Sequence, residues 1–376
     1  MTSALFTPLK VGSVTVPNRI GMSALTRSRS SATVPNDIQK EYYDQRAAGG
    51  AGLIVTEAIL ITRQGTEWPD APGIWNDEQV AGWKKIVDSV HSLGSKIYAQ
   101  LWHVGRVAHP QAPEQLAAGT PVYAPSAISA RGGKFRHIEG SPGYVTPTEV
   151  SDPTTLIALF KQAAVNAKKA GFDGVELHGA NGYLIHQFLD STSNTRTDQW
   201  GGSVENRARF ALETLKAVIE VFGPDVAIKV SPAGGYNDMG MPLQETIDTF
   251  GYLLREADKL NLAYVCLARY SPWLDVQFDG KKRATPHDVP ETYAPFLPST
   301  QIWANTGYTP EEAETAVSSG KLAGVFFGMA WITHPDAGKR IQKGKPLDNQ
   351  PDYATLYGAP GVDPAKGYTD YKAAEY

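Results

Sequence analysis

The sequence predicts an α/β fold, a TIM (β/α)8 barrel with an N-terminal β-hairpin cap and a long loop after the third strand. Three observations lead there. Short apolar runs recur eight times, at 20–25, 52–57, 96–101, 174–178, 226–231, 263–268, 301–305 and 324–328. Their near-continuous apolar character is that of strands covered on both faces. Segments of helical period alternate with them, at about 36–48, 77–93, 155–170, 203–222, 244–259, 310–319 and 336–343. Eight is also the number at which a helix-covered parallel sheet closes into a barrel.

Taken in order, residues 1–19 contain VGSVTVPN, which reads as a small hairpin under the barrel. Gly49-Gly50 and Gly171 are suitable helix stops, and Ser203 is a good N-cap with Glu205 in the first turn. The segment 103–150 is rich in Gly, Pro, Ala and Ser and weakly periodic. Inserts of that length serve as functional loops or carry small strands of their own. Residues 345–376 form a C-terminal tail, and the whole chain 1–376 reads as one barrel domain without internal repeats beyond the β/α unit.

Composition excludes several classes. The chain has 376 residues, 42% hydrophobic and 20% charged, which suits a large core and not a disordered chain. Thirty-five basic against thirty-nine acidic residues give a net charge of −4 with no basic run, so nucleic acid is not expected as a partner. No stretch approaches about 18 apolar residues, and MTSALFTPLKVG lacks the pattern of a signal peptide, so a cytoplasmic protein is expected. The single cysteine, Cys266 in AYVCLA, reads as a small core residue. It excludes a thiolate zinc site or a four-cysteine cluster, so redox chemistry would need an organic cofactor.

In such a barrel, chemistry sits at the C-terminal ends of the strands. There the sequence puts Thr26-Arg27, Glu57, Gln100 with Trp102 and His103, His178 with Asn181 and Tyr183, Lys229 with Ser231, Asn305-Thr306-Gly307 and Gly328-Met329. No Asp/Glu cluster suited to a metal is among them, which disfavours a divalent-metal aldolase or enolase site. His178 and Asn181, three apart beyond a strand, can both donate to one ligand oxygen. Tyr183 adds a phenolic proton as a general acid. Two donors and an acid suit a reaction that builds negative charge on a carbonyl oxygen. The alternative is a core histidine satisfied by backbone; Gln100 can likewise be a satisfied core amide, and Trp102 a packing residue. Gly307 and Gly328 lie in the loops where barrels bind phosphate through backbone N–H groups, and Pro310 opens a helix just beyond.

These residues and their surroundings resemble the Old Yellow Enzyme family of FMN-dependent ene reductases. The matching segments are LFTPLKVG and VPNRI, LTR at 25–27, AQLWHVGR at 99–106, GFDGVELHGANGYLIHQFL at 171–189, SNTRTDQWGGSVENRARF at 193–210, IKVSP at 228–232, ANTGYTPEEAE at 304–314 and GYTDY at 367–371. The resemblance implies non-covalent FMN across the barrel mouth, reduced by NADPH or NADH, and a small-molecule substrate with a C=C bond conjugated to a carbonyl or nitro group. It implies that Ala24, Leu25, Thr26, Ala58, Gln100, Lys229, Asn305, Gly307, Gly328 and Met329 line the cofactor site. It implies that His178 and Asn181 grip the substrate carbonyl, that Trp102 and Thr26 shape the pocket, and that Tyr183 protonates Cα in a ping-pong cycle. It leaves monomer and homodimer both open. Because the nicotinamide shares the flavin site, the lack of a Rossmann fingerprint is no objection.

Three positions depart from the family pattern. Lys229 stands where most relatives carry Arg, keeping the charge but not the planar fork. Met329 stands where an Arg usually clamps the phosphate, a loss of about 1.5–3 kcal/mol if nothing replaces it. Ala24 stands where Pro is common. Two rival readings follow: a redox-neutral flavin-dependent isomerase, and a flavin-poor barrel that only binds.

Overall fold

The computed structural model describes residues 3–133 and 143–376. Eight parallel strands close into a barrel: β1 (Ile20–Met22), β2 (Leu53–Val55), β3 (Lys96–Trp102), β4 (Gly174–Gly179), β5 (Val226–Val230), β6 (Tyr264–Ala268), β7 (Ile302–Asn305) and β8 (Gly324–Phe327). Each pairs in parallel with its neighbour in sequence, and β8 pairs with β1 to close the ring. The strands sit at the predicted places. A further strand pair, Ile59–Leu60 alongside the end of β3, was not predicted.

Strand alternation decides what faces the barrel axis. On β5, Val226, Ile228 and Val230 pack outward with the helices, while Ala227 packs in the inner cluster with Leu53, Val55, Tyr98, Tyr264, Cys266, Trp303 and Phe326. Residues two further along the strands continue inward, and near the C-terminal ends these are Gln100, Trp102, Glu176, His178, Lys229 and Asn305. Apolar packing thus fills the lower barrel, and the polar set crowns it. Gly174 and Gly324 make room for the large inner rings, since a Cβ there would lie 2.4 Å from Tyr98 and 2.5 Å from Trp303. The hairpin Leu9–Val11 with Val14–Val16 closes the bottom, its Val11 and Val16 joining that inner cluster. Cys266 is buried there with a free thiol.

The outer helices begin where side-chain caps satisfy the first N–H groups. Asn36 and Gln39 form a capping box at Asp37–Ala48, Asn76 and Gln79 do so at Asp77–Ser92, and Thr309 and Glu312 at Pro310–Ser318. Ser203 caps Val204–Phe222 as predicted, accepting from the Asn206 N–H. The insert after β3 carries a helix, Pro113–Ala118, and a two-stranded pair, Tyr123–Ala124 with Thr148–Glu149. Residues 134–142 of the predicted 103–150 loop lie outside the described residues.

The tail is held by buried arginines. Arg27 donates to the carbonyls of Leu356 and Gly367, Arg29 to those of Thr355, Pro364 and Lys366, and Arg46 to that of Tyr368. Tyr368 stacks on Tyr42 at 4.1 Å between ring centroids. No helix among the described residues is long and apolar enough to cross a membrane.

Candidate functional site

A cavity of about 1280 Å³ opens at the C-terminal end of the barrel, larger than the usual range for one small ligand. Its wall includes Ala24 and Leu25 after β1, Asn181 after β4, Lys229 on β5, Asn305 and Gly307 at β7, and Gly328 and Met329 at β8. Eight of the sequence-predicted residues therefore meet at one cavity. Gln100, Trp102, His178 and Tyr183 are not in that wall. His178 adjoins it through its register partner Lys229, and Tyr183 through Asn181 two residues earlier.

His178 is the register partner of Lys229 across the β4–β5 ladder. Burial first, and the nearby Lys229 charge second, hold its imidazole pKa well below the ordinary value. The ring is therefore neutral. The Ala180 N–H donates to Nδ1 at 3.4 Å, which assigns the ring proton of the neutral imidazole to Nε2. Trp102, His178 and Tyr183 form a ring cluster. Tyr183 meets Trp102 edge-on at 5.0 Å and His178 edge-on at 4.9 Å, and Trp102 lies over His178 at 6.4 Å. The indole Nε1 of Trp102 is buried without a hydrogen-bond partner among the described residues. Burial above all raises the Tyr183 phenol well above its ordinary pKa, reinforced by Tyr236, Glu67, Tyr144 and Tyr357. Tyr183 is therefore a protonated phenol that can donate.

Tyr183 precedes a short helix, Leu184–Leu189, which sequence periodicity could not show. Aromatic residues frame the same side: Trp68 packs on Tyr357 of the tail at 5.0 Å, in a cluster with Ala58, Trp102, Tyr183 and Tyr144. Ala58 thus lies on the aromatic side, not in the cavity wall formed by Lys229 and the glycine loops. Thr26 is half-buried after Leu25.

Inside the barrel mouth, Lys229 Nζ donates to Asn305 Oδ1 at 3.0 Å and to Ser23 Oγ at 3.3 Å. An ammonium has three protons, so one remains for an acceptor in the cavity. Gln100 Nε2 donates to Glu176 Oε1 at 2.7 Å, and Tyr264 donates to Glu176 Oε2 at 2.8 Å. Gln100 thus commits one of its two amide N–H groups to Glu176, leaving the other N–H and its carbonyl oxygen. Arg27 and Glu57, both at strand ends, are not brought to this chemistry: Glu57 accepts from the Arg27 N–H and from Gln39, behind the tail clamp.

At the far end of the cavity, Thr306 and Gly307 both have left-handed φ, 80° and 72°, which glycine takes without strain. Met329 is 48% exposed and begins the helix Met329–Thr333. The wall there also holds Arg269 and Lys321, which sequence reading had passed over. Arg269 follows β6 directly, so the strand-end rule applied to that strand would have found it. Both cations are already paired, Arg269 with Glu312 at 3.3 Å and Lys321 with Glu291 at 3.1 Å. Sequence reading also left unassigned the partners of Asn181, namely Asn237 and Ser231. No group of three or more His, Cys, Asp or Glu side chains among the described residues could hold a metal.

Comparison with known proteins gives a consistent result. The model of the NADH:flavin oxidoreductase / NADH oxidase family matches residues 4–348. The chain is 42% identical to chanoclavine-I aldehyde reductase fgaOx3 of Penicillium roqueforti, covering 98% of this chain and 95% of that protein. It is 40% identical to the probable inactive reductase easA of Epichloe festucae var. lolii, covering 100% and 96%. Among solved structures, the Old Yellow Enzyme homologue of Zymomonas mobilis superposes with a TM-score of 0.87 at 34% identity, covering 98% and 99%.

Proposed function

The chain belongs to the NADH:flavin oxidoreductase / NADH oxidase family, that of the Old Yellow Enzymes, and is an FMN-dependent ene reductase; from that premise we propose how its own residues act. The proposed substrates are alkenes conjugated to a carbonyl or nitro group. The observation that carries this reading is the cluster of neutral His178, protonated Tyr183 and Trp102 at the cavity edge, with Asn181 in the wall beside it. A relative named as an aldehyde reductase supports a carbonyl-bearing substrate.

The chemistry FMN would supply when bound is hydride transfer, from NAD(P)H to the alkene Cβ. The residues present fit that cofactor. Lys229 would use its remaining ammonium proton on an acceptor of the ring, Gln100 would meet the ring edge with its amide, and Ala24 and Leu25 border the same mouth, with Thr26 next in sequence. The loops at Gly307, Gly328 and Met329 would receive the phosphate through backbone N–H groups.

His178 Nε2–H and the Asn181 amide donate to the substrate oxygen and stabilise the negative charge that develops on it. The same pair receives the nicotinamide amide in the other half of the cycle, so reductant and oxidant take turns at one pocket. Tyr183 gives its proton to Cα. Its raised pKa keeps that proton in place at neutral pH. Trp102 packs behind His178 and Tyr183 and excludes water on that side.

The test is an anaerobic titration followed by visible absorbance. Purified protein should show a flavin spectrum that bleaches with one equivalent of NADPH and returns on adding 2-cyclohexenone, with cyclohexanone formed in equal amount. An isomer of the enone formed without net NADPH consumption would instead establish an isomerase. A protein that takes up no FMN would overturn the reading.

A further inference from the structure

Both peptide groups that flank the side chain of Asn181 are held by side chains from the segment after β5. The Asn181 N–H donates to Ser231 Oγ at 2.8 Å, and Asn237 Nδ2 donates to the Asn181 carbonyl at 2.9 Å. Asn181 has a left-handed φ of 58°, a conformation that L-residues adopt at a cost and that its surroundings must enforce. Gly182 follows with φ 70°, and a Cβ there would lie 2.8 Å from Cβ of Asn237 and 2.8 Å from Cγ of Met239. The turn at Asn181–Gly182 is therefore pressed directly onto the turn at Asn237–Asp238.

That second turn is itself left-handed, with φ of 54° at Asn237 and 60° at Asp238, and it is anchored from three directions. The Tyr144 hydroxyl donates to Asn237 Oδ1 at 3.2 Å. Arg131 and Arg283 both bond the Asp238 carboxylate, at 2.9 Å each. Arg106 donates to the Asp238 carbonyl at 3.1 Å. None of these residues needs to touch a substrate. Their common effect is to fix where the Asn181 backbone stands, and so where its amide reaches the cavity.

We infer that Asn237, together with Ser231, is a positioning residue for Asn181: the two side chains bracket its backbone and set the donor that meets the substrate oxygen. This inference rests on the proposed donor role of Asn181. It assigns Asp238 and its arginines to holding the bracket, and it gives the substrate carbonyl a second layer of support.

The discriminating variant is Asn237→Asp in the full-length, FMN-loaded enzyme. Aspartate tolerates the left-handed backbone and still accepts from Tyr144, but it has no N–H to give the Asn181 carbonyl. The readouts are the Kd of 4-hydroxybenzaldehyde, from its perturbation of the flavin spectrum, and kcat/KM for 2-cyclohexenone. N237D should weaken both by about three- to tenfold, as expected for one lost hydrogen bond. In an N181A background the same change should add less than about twofold, whereas in an H178A background it should keep its full size. S231A, read in the same cycle, should follow the same pattern and serves if N237D fails to retain FMN. An effect that persists undiminished in N181A, or N237D behaving as the parent, would overturn the inference while leaving the Asn181 role standing. If N181A itself leaves the phenol Kd unchanged, the donor role falls and the inference with it.

Discussion

His178 and Lys229 stand opposite each other as register partners on β4 and β5. A buried imidazole beside a buried ammonium cannot also carry charge, and burial and that neighbour together keep His178 neutral. The Lys229 charge thus serves the cavity, and also fixes His178 as an N–H donor instead of an acid.

A pH profile follows. The His178 pKa is lowered in the fold, so the ring is neutral at and below the ordinary histidine range; that of Tyr183 is raised, so the phenol stays protonated past the ordinary tyrosine range. Between about pH 6 and about pH 9, kcat/KM for 2-cyclohexenone should show no inflection from either group. An inflection near about 6.5 that disappears in H178N would show that His178 titrates and contradict the assignment.

Acid stability has a definite sign. Burial lowers His103 to about 3 and His186 to about 4, while their unfolded values are near the ordinary one. Below about pH 6.5 the unfolded chain binds the protons first, so each ring removes roughly 1.4 kcal/mol of stability per pH unit. Urea unfolding should become easier from about pH 6.5 downward, and H103Q should have a shallower dependence by about one proton. An H103Q slope equal to that of the parent would show that His103 is not neutral in the fold.

At the phosphate end, Met329→Arg should tighten FMN binding by roughly tenfold, the value of one charge-assisted phosphate contact. The reason is that Arg269 and Lys321 are engaged by Glu312 and Glu291, leaving backbone groups as the main support. Flavin fluorescence measured during reconstitution of stripped protein reads this directly. Identical Kd values for parent and variant would mean that the phosphate has another strong ligand.

The tail clamp makes a stability prediction. Arg46 donates to the carbonyls of Trp331, Ile332 and Tyr368 and sits 3.7 Å over the Tyr42 ring. Arg46→Ala leaves those buried carbonyls unsatisfied and should cost about 2–4 kcal/mol. Chemical denaturation checks the size, and a change under about 0.5 kcal/mol would show that the tail is held elsewhere.

Much of the barrel was legible because buried parallel strands leave short apolar runs that alternate with segments of helical period. β1 is shorter than its apolar run, since Ser23, Ala24 and Leu25 leave the sheet to line the cavity. The short helices Pro113–Ala118, Leu184–Leu189, Val289–Tyr293 and Met329–Thr333 have too few turns to set up a period. Among the proposed site residues, His178, Asn181 and Tyr183 stand out in the sequence because one strand end carries all three. The bonds of Asn237 and Ser231 to Asn181 could not be read there, because they meet a backbone that reaches them only through folding. Arg27 and Glu57 look like site groups at strand ends, but their side chains turn to the tail cluster. Side-chain direction after a strand ends is set by packing, which strand alternation does not reach.

In the proposed mechanism Tyr183 delivers a proton while His178 and Asn181 hold the oxygen. Single-turnover kinetics of Tyr183→Phe tests it most directly, with the two half-reactions followed separately at the flavin absorbance. Reduction by NADPH should stay within about twofold of the parent, while reoxidation by 2-cyclohexenone should slow by about 10²-fold or more, the usual loss of a general acid. Equal slowing of both half-reactions, or of neither, would contradict the claim.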